Sequence, residues 1–308
     1  MAAPRRSSSS SGKKRKLTPS ASTGRRKAAT RKKPAARRKN SSSANQQIAA
    51  FVDGEAVPID AESVPVAAPS MGLMHWVRLF VGIALIPLVW ISLESFFLSF
   101  AHAAKNGAFW RTGEFWFFTI GASLWLVLFY GLRSRLMLWF YVAGHELTHA
   151  VFVLFCGGNV KAVHISSSGG HILTNKNNFL ISLSPYFVPF YTMIVISLWW
   201  LGQFIFPDYP ITPFHEHLLF GTIGLTLSFH LTFTLWMINR DQPDLQQNGL
   251  LFSVTLIAFI NILLISCFLV LASPNVTWEY FILTWANNLA TFHHRLMESV
   301  HEMIQMVM

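Results

Sequence analysis

The sequence predicts an all-α polytopic membrane protein with about six transmembrane helices, a short hairpin-like insertion after the third and a disordered basic amino-terminal tail. Of its 308 residues, 52% are hydrophobic and only 12% are charged, whereas soluble domains carry about twice that charged share. Apolar runs of roughly 18 to 29 residues also recur along the chain, and each is long enough to cross a bilayer about 30 Å thick.

The positive charge of the chain is concentrated at its amino terminus. Between Arg5 and Lys39 lie 15 of the 24 Lys and Arg, and the remaining 9 basic residues face 14 acidic ones, a net charge of −5. Residues 1–45 hold almost no large apolar side chains, so they cannot bury enough surface to offset chain entropy, and we expect them to be disordered. Residues 46–70 are acidic and contain proline, which is typical of a linker.

The basic tail could bind a polyanion through charge alone. Residues 1–45 contain no aromatic side chain, which disfavours stacking on bases. Anionic lipid headgroups, at about 1 kcal/mol per basic residue, and nucleic acid phosphates are the candidate partners. A solvated tail that only fixes topology is an equally good interpretation. Because Lys and Arg stay on the cytoplasmic side, we expect a multi-pass protein with a cytoplasmic amino terminus, in a bacterial inner membrane.

The six predicted spans are apolar runs separated by charges or turn-forming residues. They comprise residues 79–101, 115–132, 136–158, 179–206, 214–238 and 250–271. Six spans would return the carboxyl end to the side of the amino terminus. Pro185 and Pro189 should kink the fourth span. Residues 157–178 alternate β-branched side chains around Ser-Ser-Ser-Gly-Gly, which predicts a short hairpin.

Two further units follow from this division. Residues 71–275 form the predicted transmembrane domain. Residues 276–308 place apolar side chains at intervals of three and four between Trp278 and Val307. This spacing predicts an amphipathic helix that lies at the membrane surface or packs on a partner.

The third span carries three titratable side chains where water is scarce. His145, Glu146 and His149 form the pattern His-Glu-x-x-His, which puts both imidazoles on one helix face, within reach of one metal ion. A carboxylate at the bilayer centre costs at least about 2.5–3.5 kcal/mol, which indicates a functional role. The alternative interpretation is a structural trio that hydrogen-bonds neighbouring helices.

A zinc ion on two neutral imidazoles and a carboxylate would leave one position open for water and lower the pKa of that water to about 7. Glu146 lies one residue around the helix from His145, close enough to touch this water. It could take a proton from the water and later return it to the leaving amine of a peptide bond.

At these residues the chain resembles the site-2 protease family of intramembrane zinc metalloproteases, whose hallmark is Gly-His-Glu-Leu-Thr-His inside a membrane span. The resemblance covers roughly residues 136–271. It implies a Zn²⁺ cofactor, a membrane protein as substrate and a hairpin that holds the substrate as an extended strand. In that hairpin, Gly169, Gly170 and His171 are the candidate substrate-binding residues; for His171, the alternative is an exposed loop residue.

The resemblance also implies a third ligand, an aspartate in a Leu-Asp-Gly sequence near a later span. Here Asp244 precedes the final span and Gly249 follows only five residues later, a departure from that pattern. Asp241 is a rival ligand. His230 is a second rival ligand, because it lies at a depth in the fifth span similar to that of His149. The alternatives for His230 are that it hydrogen-bonds a metal ligand or that it is a buried contact between helices. Asp244 can reach the metal only if its loop folds back into the bundle.

A second class of function is compatible with the same residues. A non-proteolytic membrane protein, either a metal transporter or a catalytically silent relative, could use the histidine pair as ligands or as scaffold. Transporters spread their ligands over several spans and often contain repeats. Here the ligands cluster in one span and no repeat is visible, so proteolysis is the preferred interpretation.

Overall fold

The computed structural model describes residues 72–105, 107–132, 134–240 and 242–308. The predicted basic tail and linker, and the rival ligand Asp241, lie outside the described residues. In chain order the elements are α1 (Leu73–Lys105), a 3₁₀ turn (Phe109–Arg111), α2 (Gly113–Gly131), α3 (Arg135–Phe155), β1 (Val160–Ser166), β2 (Gly169–Thr174), α4 (Phe179–Phe187), α5 (Phe190–Ile205), α6 (Pro213–Ile238), α7 (Pro243–Asn248), α8 (Leu250–Ala272) and α9 (Trp278–Val307).

Five helices of the described chain are long and apolar enough to cross a membrane, namely α1, α2, α3, α6 and α8. The fourth predicted span is the pair α4 and α5, which is bent by 76°. The break falls at Val188 and Pro189, since proline has no N–H to continue the helical ladder. The prediction of about six apolar segments with a kink in the fourth is confirmed.

Helices α2 and α6 run side by side in the same direction, with Phe117 stacked on His217 near their starts and Phe129 against Phe233 towards their ends. Glycine lets their backbones touch. A Cβ atom on Gly121 would stand 1.9 Å from the carbonyl oxygen of Gly221, and one on Gly224 would stand 2.1 Å from that of Phe118. Small residues at helix contacts are the usual means of close packing between membrane helices. Helix α3 packs antiparallel to this pair, with the ring of Tyr141 stacked on Phe233 at 4.5 Å.

Helices α4 and α5 enter and leave the bundle at the same end. Asn178, which caps α4, contacts Cys156 at the end of α3. Helix α5 then runs back along α6, with the hydroxyls of Thr192 and Thr226 3.0 Å apart. Its last turn shares a cleft with His215 in the first turn of α6. The junction between α4 and α5 is thereby brought beside the motif in α3.

Helix α8 runs in the same direction as α1. Gly82 lies against the backbone of Phe252 near the start of α8, and Ala103 packs on Leu269 and Val270 near its end. The end of α8 therefore lies at the opposite end of the bundle from the start of α1. The expectation that the last of six spans returns to the amino-terminal side is corrected, because the bent pair turns back at Pro189.

The predicted hairpin is present as β1 and β2, which pair antiparallel and pack on α3. Ser167 and Ser168 form the turn that joins the strands. Gly169, with φ +131°, begins β2 directly after it, and the hydroxyl of Ser166 donates to its carbonyl oxygen over 2.7 Å. The strands are short, and none of their residues is fully buried. They therefore cover one end of α3 rather than contributing a sheet to the core.

The predicted carboxyl-terminal helix is observed as α9. Its first turns lie along α1, where the indole of Trp285 donates to Ser92 over 3.0 Å and the amide of Asn288 donates to Ser95 over 2.9 Å. Both serines are fully buried. For this part of α9, the packing partner is a membrane-spanning helix of the same chain.

Candidate metal centre

Three side chains converge on one point inside the bundle. The Nε2 atoms of His145 and His149 lie 3.1 Å apart, and each lies 3.6 Å from Oδ2 of Asp244. The ligand atoms of these residues all lie within 4.8 Å of one another. Within the described part of the chain, this is the group of His, Cys, Asp and Glu side chains arranged to share a metal ion.

Each imidazole is oriented by a contact at its other ring nitrogen. His149 Nδ1 lies 2.8 Å from the carbonyl oxygen of Ile181, and His145 Nδ1 lies 3.2 Å from the hydroxyl of Tyr141. A carbonyl only accepts hydrogen bonds, so Nδ1 of His149 carries a proton, and Nε2 is the ring nitrogen that faces the centre. Such contacts set the tautomer and ring plane of metal-binding histidines.

Asp244 reaches the histidines because the loop after α6 folds back as the short helix α7. Leu245 is buried, and its carbonyl oxygen accepts from Ser253 over 3.0 Å. The amide of Asn248 donates to Ser182 over 2.8 Å and to the carbonyl oxygen of Asp244 over 3.0 Å. Irregular backbone at membrane depth needs such internal partners.

The charge of Asp244 is stabilised by its neighbours. Burial raises the pKa of this carboxyl, but the hydrogen bonds and charges of His145 and His149 lower it by more, so its pKa lies well below the ordinary range. The group is therefore an anion facing two imidazole nitrogens, which is the charge state that a divalent cation needs in a carboxylate ligand.

The donor set and the spacing fit one small cation. Two ligand atoms at about 2.0–2.2 Å from a tetrahedral ion stand roughly 3.4 Å apart, close to the 3.1 and 3.6 Å observed. Two imidazoles with one carboxylate suit zinc and other first-row divalent ions, whereas Ca²⁺ and Mg²⁺ prefer oxygen ligands. These residues could therefore hold a metal ion.

Glu146 lies beside this centre and directly beneath the hairpin. Its side chain is 7% exposed. A Cβ atom on Gly170 would stand 2.5 Å from Cγ and 2.8 Å from Oε1 of Glu146. The backbone of β2 can therefore approach the glutamate only because residue 170 is glycine.

The other two predicted substrate-binding residues lie on the same hairpin. Gly169 is the first residue of β2, directly after the turn, and His171 pairs with His164 across the strands, with the ring centres 5.2 Å apart. Both Gly169 and His171 are exposed. Of the three predicted residues, Gly170 is the one placed against Glu146.

His230 is placed outside the three-residue group. It is buried, and its Nε2 lies 3.2 Å from Oδ1 of Asn261. The amide of Asn261 donates to the carbonyl oxygen of Tyr186 over 2.9 Å. His230 therefore supports the end of α4 rather than adding a nitrogen beside His145 and His149.

A small cavity adjoins the centre between α3, α4 and α6. It measures about 20 Å³ and is lined by His145, Thr148, Pro185, Thr226 and His230 among others. This is room for about one water molecule. The bend at the end of α4 forms part of its wall, since Pro185, Val188 and Phe190 line the cavity.

Several residues around the centre escaped the sequence analysis. Tyr141 stands four residues before His145 in the same helix, so that spacing could have identified it. Ile181, Tyr186 and Asn248 come from other elements and carry no pattern that links them to the motif. Their contribution depends on packing alone.

No protein-family model, curated protein or solved structure matches the chain. The assignment of a function therefore rests on the residues and their arrangement.

Proposed function

We propose that the protein is an intramembrane zinc endopeptidase that hydrolyses peptide bonds in membrane-embedded or juxtamembrane segments of other proteins. The observation that carries the proposal is the convergence of His145, His149 and Asp244 on one point beside Glu146, inside a bundle of membrane-spanning helices. Three protein ligands with one open position are typical of catalytic zinc sites.

In this proposal His145, His149 and Asp244 hold the Zn²⁺. When bound there, the ion supplies Lewis acidity and lowers the pKa of a coordinated water to about 7. The contacts of Tyr141 and Ile181 keep the imidazole rings turned inward. Asn248 keeps the backbone of Asp244 in place.

Glu146 acts as the general base. It follows His145 in α3 and lies next to the ligands, where it can take a proton from the attacking water. The same carboxylic acid then gives the proton to the leaving amine. Its burial beneath β2 excludes bulk water, which strengthens its electrostatic action on the reacting groups.

The hairpin presents the substrate. A two-stranded hairpin leaves backbone N–H and C=O groups unpaired at its edges, and an extended peptide can add to such an edge as a further strand. Because Gly170 lies against Glu146, a peptide bound along β2 would pass close to the general base. Gly169 and His171 would flank that peptide.

A fluorogenic peptide tests the proposal. Purified protein in liposomes would be given a single-span peptide carrying a fluorophore and a quencher on either side of an apolar segment interrupted by Gly-Pro. We expect Glu146→Gln to lower cleavage at least 10³-fold, in the range by which loss of a general base slows such reactions, with zinc content unchanged. Glu94→Gln, at an exposed glutamate in α1, is the matched control and should cleave normally.

The same experiment separates the proposal from a transporter or a catalytically silent relative. Full cleavage by Glu146→Gln, or a zinc-loaded native protein that cuts neither this peptide nor unfolded casein, would overturn the peptidase assignment. A transporter would instead move ⁶⁵Zn into the liposomes, and it would do so in the Glu146→Gln variant as well.

A further inference from the structure

Several polar groups around the candidate metal centre have close hydrogen-bond partners among the described residues. The hydroxyl of Tyr141 contacts His145, the carbonyl of Ile181 contacts His149, and the amide of Asn248 donates to Ser182 and to the backbone of Asp244. A further polar group at the centre is the hydroxyl of Tyr186, at the end of α4, whose two contacts are longer. No step of the proposed reaction has yet used it.

The position of Tyr186 is fixed by packing. Its side chain is 1% exposed, and its carbonyl oxygen accepts from Asn261 over 2.9 Å and from Thr234 over 3.4 Å. Its ring stands edge-on to the imidazole of His145, with the ring centres 5.3 Å apart. The hydroxyl is thereby held at the centre, whichever way its proton turns.

The hydroxyl proton of Tyr186 is only weakly engaged. Its oxygen lies 3.4 Å from Oδ2 of Asp244 and 3.5 Å from Oε1 of Gln242, whereas a good O–H···O bond measures about 2.7–2.8 Å. That Oδ2 atom is also the one that faces both histidines. The hydroxyl therefore stands beside the atom through which Asp244 would bind a cation, with a proton free for a better acceptor.

We propose that Tyr186 is a further catalytic residue, whose hydroxyl donates a hydrogen bond to the carbonyl oxygen of the scissile peptide as that oxygen becomes an anion. This inference rests on the proposed function. The water oxygen forms a bond to the carbonyl carbon, the π electron pair moves onto the carbonyl oxygen, and Glu146 takes the proton of the water. The electron pair on that oxygen then re-forms the C=O bond as the C–N bond breaks, and the electron pair left on nitrogen takes the proton from Glu146. Tyr186 keeps its own proton throughout.

A tyrosine suits this role chemically. A phenol is neutral at physiological pH, with an ordinary pKa near 10, so it donates without competing with the ligands for the metal. It also comes from α4, whereas Glu146 comes from α3, so base and donor are held independently. Removing one donor of this kind from an acyl-transfer site lowers kcat about 10²- to 10³-fold.

Tyr186→Phe and Tyr141→Phe form the matched pair that tests the proposal, since each removes one hydroxyl from the same centre. Zinc content, kcat and KM for the fluorogenic peptide, and the affinity for a phosphinic peptide would be measured. The phosphinic group mimics the tetrahedral anion, so its binding reports on the donor without turnover. We expect Tyr186→Phe to keep its zinc and KM but to lose about 10²-fold in kcat and in phosphinic peptide affinity.

Tyr141→Phe should instead weaken zinc binding, because its hydroxyl lies 3.2 Å from Nδ1 of His145 and orients that imidazole, whereas the hydroxyl of Tyr186 makes only a longer contact of 3.4 Å with Asp244. A Tyr186→Phe variant with native kcat and native phosphinic affinity would overturn the catalytic role. So would one that loses zinc in proportion to its activity, since the hydroxyl would then only position Asp244. If the native protein binds zinc yet cleaves no peptide, the proposed function fails instead, and the two failures are distinguishable.

Discussion

Gly170 in β2 lies against Glu146 in α3 so closely that a methyl group at position 170 would stand 2.5 Å from Cγ of the glutamate. The two residues are far apart in the chain, and their contact sets the hairpin over the candidate centre. The first prediction follows from it. Gly170→Ala should lower kcat/KM for the fluorogenic peptide about 10²-fold, because the strand or the base must shift by a substantial fraction of an ångström.

Zinc content should be unchanged in Gly170→Ala, since the proposed ligands lie in α3 and α7. Gly202→Ala is the control, because a Cβ atom there meets nothing within 4 Å. Normal cleavage by Gly170→Ala would show that β2 need not lie where it does for the reaction to proceed.

The second prediction concerns the third ligand. Loss of a residue that only supports a ligand lowers metal affinity roughly 10- to 100-fold. Asp244→Ala removes the ligand itself, so it should lower zinc affinity by more than that. Asp241→Ala and His230→Ala, purified in parallel, should retain their zinc. Metal quantification after dialysis against a weak chelator measures all three. If Asp244→Ala retained zinc while Asp241→Ala or His230→Ala lost it, the residue whose substitution removes the zinc would be the third ligand.

His230→Ala has a separate expected effect. It leaves the Oδ1 atom of Asn261 without the partner it has at 3.2 Å, and an unsatisfied buried polar group costs about 1–3 kcal/mol. We expect a lower thermal unfolding midpoint with unaltered zinc stoichiometry. A variant as stable as the native protein would show that this contact adds nothing to the fold.

The fourth prediction addresses the support of Asp244. Asn248→Ala removes the amide that donates to Ser182 and to the backbone of Asp244, so zinc affinity should fall about 10- to 100-fold. Gln246→Ala, at an exposed position of the same short helix, should bind zinc normally. Equal zinc affinity in the two variants would mean that α7 keeps its place without Asn248.

The last prediction concerns the contact between α2 and α6. Gly224→Ala would place a methyl group 2.1 Å from the carbonyl oxygen of Phe118, which forces the helices apart and should cost about 1–3 kcal/mol. Gly131→Ala, where a Cβ atom meets nothing within 4 Å, is the control. Thermal unfolding in detergent, monitored through aggregation, should show a lower midpoint temperature for Gly224→Ala and an unchanged one for Gly131→Ala.

Local patterns in the sequence identify a large part of this protein. Apolar length specifies the membrane-crossing helices, because a helix must present about 20 apolar residues to the bilayer core. Turn residues identify the hairpin, and Pro189 marks the break before α5. The spacing of His145 and His149 specifies a shared face because it depends only on the helical repeat.

Other features arise only when distant segments meet. Asp244 has no periodic relation to the histidines, and it reaches them because Leu245 and Asn248 find buried partners around α4 and α8. The direction of α5 depends on its packing along α6, which apolar composition does not encode. The placement of Gly170 on Glu146, and of Tyr186 beside Asp244, likewise comes from tertiary packing. The sequence by itself therefore determined which segments enter the membrane and which helix carries the paired imidazoles. Only the tertiary structure decided what completes the centre, because side-chain contacts between remote segments depend on packing rather than on any local repeat.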